Sequence, residues 1–307
     1  MKYHLAVDVG GTWLRAALYP QGETAPMRRE RARTPREGRP EAALVALLRE
    51  IWPADGEVLG VGVACPGPLN PETGVVYAAP NIPAWRDFPL ADYLSRALGV
   101  PVKVDNDANL AALGEWRYGA GQGHHHVLYL TISTGIGAGV IVDDRLLHGA
   151  RGLAAELGHV TVMPDGPLCG CGQRGHLEAV ASGTAIARQA EEALNRGEAS
   201  SLAALPRPLT AADVAQAAQG GDALAQRIFT QAAEHLGRAL AGFLHIFNPS
   251  IVILGGGVVH AGDVLLRPLE AALRTSVMSP AYLEGMVLTT AALGDDAGLL
   301  GALTMIT

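Results

Sequence analysis

Cysteine is scarce in this chain, with three among 307 residues. That excludes the disulfide framework on which small secreted domains depend and points to a reducing compartment, the cytoplasm. No uninterrupted apolar run is long enough to span a bilayer. The apolar start Leu5-Ala6-Val7 meets Asp8 at once, so no signal peptide is expected. Positive charge is also in deficit: 23 Lys and Arg against 30 Asp and Glu leave a net −7. A chain of that sign gives no support to a nucleic-acid or anionic-membrane partner. The basic cluster Arg28, Arg29, Arg31, Arg33, Arg36 and Arg39 is interrupted by Glu30 and Glu37 and reads as a solvated face. Two nucleotide signatures are missing. There is no Gly-x-Gly-x-x-Gly between the first strand and a helix, and no Gly-x-x-x-x-Gly-Lys-Ser/Thr loop. What remains, 49% hydrophobic and 17% charged, is a globular composition with length for two domains.

The two remaining concentrations of chemistry are a knot and a set of glycine turns. Residues 156–178 contain Glu156-Leu-Gly-His159, then Cys169-Gly-Cys171-Gly-Gln-Arg-Gly-His176-Leu-Glu178. Two thiols and two imidazoles at this spacing suit a tetrahedral zinc, and the glycines permit a tight backbone. The bland alternative is a polar loop with incidental cysteines. His124-His125-His126 is internal and reads as a surface loop before a strand.

Asp8-Val-Gly10-Gly11-Thr12 separates two short apolar runs, 5–9 and 14–18, and reads as a hairpin tip that exposes main-chain N–H groups. Strand, glycine turn and strand recur over 127–142, around Ser133-Thr134-Gly135-Ile-Gly137, which suggests duplicated halves. A further strand over 251–254 ends in Gly255-Gly256-Gly257. Any one of these could be an ordinary tight turn; three after strands suggest phosphate handling. Helical spacing covers 40–51, 108–118, a long stretch over 183–248 and the tail 297–305; strands are expected at 59–64 and 102–104. This alternation indicates an α/β architecture. Asp105-Asn106-Asp107 falls at a strand–helix junction. A carboxylate there can accept the proton of an attacking hydroxyl and an amide can both donate and accept hydrogen bonds, or the same side chains can serve as helix N-caps.

The knot resembles the zinc motif of the ROK family (repressors, open reading frames, kinases), Glu-x-Gly-His followed by Cys-x-Cys-Gly-x-x-Gly-Cys-x-Glu. His176 stands where that family has its third cysteine. The glycine turns resemble the phosphate loops of the acetate kinase, sugar kinase, Hsp70 and actin superfamily, with Ser133 in place of the usual first glycine of the second loop. The resemblance runs to Gly294-Asp-Asp-Ala-Gly298 and covers essentially the whole chain. It implies a two-lobed actin-like ATPase fold with the active site in the interdomain cleft. A small domain would take 1–120, a large one 121–295, and a closing helix over 296–307 would pack back on the first. It implies phosphate and ATP contacts from Asp8, Gly10, Gly11, Thr12, Thr134, Gly135, Gly255, Gly256 and Gly257, with Asp8 holding Mg²⁺ through water. Asn81, Asn106, Asp107, Glu156, His159 and Glu178 become sugar ligands and Asp107 the base. His159, Cys169, Cys171 and His176 become ligands of a structural zinc, unless His176 points away or the metal is lost. The activity implied is an ATP-dependent glucokinase, with a kinase for N-acetylmannosamine, N-acetylglucosamine or fructose as the alternative and a non-catalytic sugar sensor behind it. A homodimer or homotetramer is implied. The repressors of the family carry a helix-turn-helix ahead of the first loop, and with that loop starting at Asp8 none is expected here.

Overall fold

The computed structural model describes residues 1–35 and 37–307; Arg36 of the basic cluster lies outside them. Strands β1 (Lys2–Val9) and β2 (Trp13–Pro20) form the expected hairpin, with Val9 opposite Leu14. β3 (Arg28–Arg33) pairs antiparallel with β2. Arg28, Arg29, Arg31 and Arg33 of the basic cluster are therefore solvated, as expected, but as a sheet edge, with the guanidinium groups of Arg31 and Arg33 stacked 4.5 and 4.2 Å from the Trp13 ring. A charged edge of this kind resists pairing with another chain. α1 (Pro40–Glu50) starts with proline in its first turn and buries Leu44, Leu47 and Leu48. β4 (Glu57–Cys65) is followed by β5 (Leu69–Asn70), β6 (Val75–Ala78) and β7 (Arg86–Pro89), which form a small sheet of their own. α2 (Leu90–Leu98) ends at left-handed Gly99, and β8 (Val102–Asn106) runs straight into α3 (Asp107–Tyr118).

Beyond the histidine triplet come β9 (Val127–Ile132), β10 (Ile136–Val142), β11 (Arg145–Leu146), α4 (Leu177–Ala181) and α5 (Gly183–Asn195). Then follow α6 (Ala211–Gln219), α7 (Ala223–Phe247), β12 (Ile251–Gly255), α8 (Asp263–Ser276), β13 (Val287–Thr290) and α9 (Ala297–Ile306). The long helical stretch expected over 183–248 is thus three helices. Each is restarted by a side-chain cap: Ser182 accepting from Ala185, Thr210 paired with Asp213 in a capping box, and Asp222 accepting from Ala225. The main sheets run β3-β2-β1-β4-β8 and β11-β10-β9-β12-β13. Numbered within its own half, each reads 3-2-1-4-5, so the repeated strand–turn–strand pattern belongs to a repeated sheet topology. Among the described residues no helix is long and apolar enough to cross a membrane.

The chain divides into two compact units, Met1–His124 with Gly139–Ala155 and Ala292–Thr307, and His125–Ala138 with Glu156–Ala291. Gly139–Ala155, expected in the second domain, group with the first. Gly139 has no side chain and lies against α3, where a Cβ would come 2.8 Å from the Ala108 carbonyl oxygen.

In the first unit the period-2 alternation of β1 and β2 sends residues to two cores. Leu5, Val7, Leu14 and Leu18 pack with Leu44, Leu48, Leu90 and Leu94 of α1 and α2. Ala6, Ala17 and Tyr19, with Ala64 of β4, pack with Leu110 of α3 and Leu299, Ala302 and Leu303 of α9. Helix α9 approaches α3 closely because glycines face it: a methyl at Gly301 would overlap the Leu110 carbonyl, and one at Gly114 the Ala297 carbonyl. The buried Glu115 carboxylate accepts the N–H groups of Ala120, Ala292 and Leu293, which anchors the segment leading into α9. In the second unit α7 buries Ile228, Phe229, Leu236, Leu240 and Leu244.

Candidate active site

The β1–β2 turn is closed by the Gly10 N–H donating to the Trp13 carbonyl at 2.9 Å, and Thr34 Oγ1 donates to the Gly10 carbonyl at 2.6 Å. Asn81 lies over this turn, since a Cβ on Gly11 would come 2.9 Å from the Asn81 side chain. The loop carrying Asn81 is pinned by fully buried Ile82 and Trp85, whose main chains exchange turn bonds with Ala79. Asp8 closes β1 on the face shared with α9. Burial pushes its carboxyl up to about 6, against the pull of Arg15 at 3.9 Å, and the nearby negative charges of Asp107 and Asp295 add to the rise.

At the β8–α3 junction the three polar residues divide their duties. Asn106 is extended, and its Oδ1 accepts the Ala108 and Asn109 N–H groups at 2.9 and 3.2 Å, so it is the N-cap of α3. A sugar contact from Asn106 would therefore come from Nδ2, as a donor. Asp107 Oδ1 accepts the Ala108 N–H at 2.8 Å, and burial pushes its carboxyl above the usual carboxylate range. Asp105 is 3% exposed. Its Oδ1 accepts the Asn106 N–H at 2.6 Å and Asn109 Nδ2 at 3.2 Å, and its Oδ2 meets His148 Nε2 at 2.6 Å. In the sequence Asp105 stands out only as part of the triplet, and His148 not at all. The two lie 43 residues apart, and no local pattern joins them.

The second unit holds the other glycine turns. The Ser133 N–H donates to the Gly135 carbonyl at 2.8 Å, so it is taken up inside the turn rather than offered to a ligand. The Ile136 N–H donates to Glu178 Oε2 at 2.9 Å, and a methyl on Gly135 would overlap that carboxylate. A cavity of about 940 Å³ opens beside this turn, lined among others by Ser133, Thr134, Gly183, Thr184, Gln216 and Gly257. That lies within the range of ligand pockets. Of the three glycines after β12, Gly257 opens onto it; Gly255 is packed under the Tyr129 ring and Gly256 adopts φ +86° to make the turn. Gly183 and Thr184 were not foreseen. They begin α5 behind the Ser182 cap, and their N–H groups donate to the Ser133 and Thr134 carbonyls at 2.7 and 3.4 Å, which ties the start of the helix to the glycine turn.

The knot folds through short turns. Cys169 N–H donates to the Gln173 carbonyl, Gly175 N–H to that of Pro167 and Leu177 N–H to that of Val160. Gly175 has φ +71°, and a Cβ there would strike the Met163 carbonyl. The four side chains converge: His159 Nδ1 lies 3.3 Å from His176 Nδ1 and 3.6 Å from Cys169 Sγ, and Cys171 Sγ lies 3.3 Å from His176 Nδ1. All four ligand atoms fall within 4.8 Å of one another. Bond lengths of about 2.0–2.1 Å to nitrogen and about 2.3 Å to sulfur give a zinc tetrahedron N–N edges of about 3.3 Å and N–S edges of about 3.5 Å. The cluster fits that ion, with His176 turned inward. Without a cation burial pushes the Cys169 thiol up to about 11. Nδ1 of His159 faces the cluster while Nε2 lies 4.0 Å from Glu156 Oε2. Cys169 Sγ donates to Glu178 Oε1 at 3.5 Å, so Glu178 ties the knot to the glycine turn.

The sequence profile of the ROK family matches residues 4–307. This chain belongs to the ROK family. It is 40% identical to a glucokinase of Thermotoga maritima, over 98% of this chain and 96% of that one. Among solved structures it resembles a ROK glucokinase of Streptomyces griseus in complex with glucose and AMPPNP, with a TM-score of 0.85, 35% identity and coverage of 99% and 98% of the two chains. It also resembles a ROK hexokinase of Thermus thermophilus, with a TM-score of 0.81, 39% identity and coverage of 98% and 96%. The fold of this ROK chain is accordingly the actin-like ATPase fold of the sugar kinases.

Proposed function

We propose that the chain transfers the γ-phosphoryl group of ATP to the 6-hydroxyl of glucose, giving glucose 6-phosphate and ADP. The observation that carries this reading is the juxtaposition, in one unit, of the glycine hairpin ending in Asp8 with the strand–helix junction ending in Asp107, whose charge helps hold the Asp8 carboxyl up. Phosphoryl transfer asks for alignment and charge stabilisation rather than covalent help. Asp107 accepts the proton of the sugar hydroxyl, and its burial makes it a stronger base than an exposed carboxylate. Asn81, Asn106, Glu156, His159 and Glu178 hold sugar hydroxyls; amide donors and carboxylate acceptors match such a partner. Gly10, Gly11 and Thr12, with Thr134 and Gly135, hold the phosphates, and the turn built by Gly255 and Gly256 presents Gly257 toward the adenosine.

The partly buried carboxylates of Asp8 and Asp107, with the exposed Asp295 nearby, are hard oxygen donors that suit Mg²⁺ held through water by Asp8. When bound, that ion neutralises charge on the transferred phosphate. Zinc would be structural, on His159, Cys169, Cys171 and His176, and would fix the His159 ring so that Nε2 serves the sugar. Three unpaired thiols agree with a cytoplasmic enzyme. A coupled assay with ATP across glucose, mannose, fructose, N-acetylglucosamine and N-acetylmannosamine tests the reading. Glucose is expected to give the highest kcat/KM. A higher value for N-acetylmannosamine would overturn the substrate assignment, and turnover of no hexose would overturn the kinase.

A further inference from the structure

Asp105 is a carboxylate taken almost wholly out of water, at 3% exposure, directly before Asn106 and Asp107. Burying such a charge is unfavourable unless it is both paired and hydrogen-bonded. Oδ1 is satisfied by the Asn106 N–H and Asn109 Nδ2. Oδ2 is met by His148 Nε2 at 2.6 Å, a charge-assisted distance, from a segment that follows β11 and is distant in sequence. Asn106 and Asn109 are the groups that start α3: the first caps it, and the N–H of the second is one of those capped. The orientation of the Asp105 carboxylate therefore sets the backbone of Asn106 and, one peptide further, the direction of Asp107.

We propose that His148 is a positioning residue of the sugar site, which acts through Asp105 to hold Asn106 and Asp107 in register. This role requires no contact between His148 and either substrate. If the imidazole is removed, the Asp105 carboxylate is left buried without its partner. Oδ2 then has to turn toward water, and that rotation moves Oδ1 away from the Asn106 N–H. Misplacement of a reacting group by about 1 Å is enough to lose about 10²-fold in rate. The proposal rests on the kinase reading above. Wild-type protein that phosphorylates no hexose refutes that reading, whereas an active wild type with unaffected variants refutes this one.

The experiment is steady-state kinetics of full-length His148→Ala and His148→Gln, varying sugar and ATP separately, with thermal unfolding of each. His148→Ala should lower kcat/KM for the sugar about 10- to 100-fold and leave KM for ATP within about twofold of wild type. His148→Gln keeps an N–H for Asp105 without the charge, and should recover to within about tenfold of wild type. Adding Asp105→Asn to His148→Ala removes the unpaired charge and should restore part of the lost sugar kcat/KM. His148→Ala kinetics within twofold of wild type for both substrates would overturn the proposal. So would equal damage to the sugar and ATP constants together with a lowered melting temperature, which is the mark of a merely structural pair. Should His148→Ala fail to fold, His148→Gln decides the matter: a three- to tenfold loss confined to the sugar supports positioning, and unchanged kinetics refutes it.

Discussion

Replacing Asp8 by asparagine should make the protein more stable and less active at the same time. The carboxyl titrates near 3.8 in an unperturbed setting and is pushed up to about 6 in the fold, chiefly by burial. Between those two values the native state holds more protons than the unfolded chain. Stability therefore falls as pH rises through that window, and the deficit is complete above about pH 6. A shift of about two units at 1.36 kcal/mol each is about 3 kcal/mol. That is an upper figure, because the side chain is still 21% exposed. Asparagine keeps the shape and carries no charge, so Asp8→Asn should gain up to that amount at pH 7.5 and almost none at pH 4. At about 2–4 °C per kcal/mol, Tm should rise by several degrees. The same change removes the carboxylate proposed for Mg²⁺, and kcat should fall by at least about 10²-fold. Calorimetric or fluorescence melting of both proteins from pH 4 to pH 8, without nucleotide or divalent ions, checks the argument. A variant that melts below wild type at pH 7.5, or a difference that does not shrink toward pH 4, would refute it.

Asp107→Asn should keep sugar affinity within a few-fold and lower kcat by ~10²–10⁴-fold; near wild-type kcat removes Asp107 from the role of base. Elemental analysis of untagged protein should find close to one zinc per chain. Cys169→Ser should lose it and raise KM for glucose more than KM for ATP, while His176→Cys should retain it; a glucose KM unmoved by full chelation disconnects the knot from the sugar. Gly301→Ala, whose methyl meets the Leu110 carbonyl, should cost about 1–3 kcal/mol or more in denaturant titration. Gly242→Ala, in α7 with open space around it, should instead gain roughly 0.5–1 kcal/mol. If the two substitutions behave alike, helix packing is not what selects Gly301.

Features whose cause is local could be read from the chain alone. The β1–β2 hairpin follows from alternation around Gly10-Gly11-Thr12, α1 from its proline start and leucine spacing, and the knot from the closeness of its four ligands. The first miss was β3: its six residues include four arginines and show no apolar alternation, and only pairing with β2 makes them a strand. The division of 183–248 into three helices depends on caps hidden among ordinary polar residues. At the site, the candidate residues could be named one by one, but their duties could not. That Asn106 gives its oxygen to a helix, that Glu178 braces the turn at Ile136, and that Asp105 meets His148 are all consequences of segments brought together by the fold. The grouping of Gly139–Ala155 with the first unit is another.

Helix α9 also governs the order in which the molecule can be completed during synthesis. Ala6, Ala17, Tyr19 and Ala64 are made early, yet their partners Leu299, Ala302 and Leu303 leave the ribosome after every residue of the second unit. The second unit is continuous from Glu156 to Ala291 apart from one early strand and turn, and can condense as it emerges. The first must wait with one sheet face open to water, at translation rates of roughly 5–20 residues per second. The usual succession, N-terminal body first, would then be reversed, with that alanine-lined face exposed until residues 297–307 arrive.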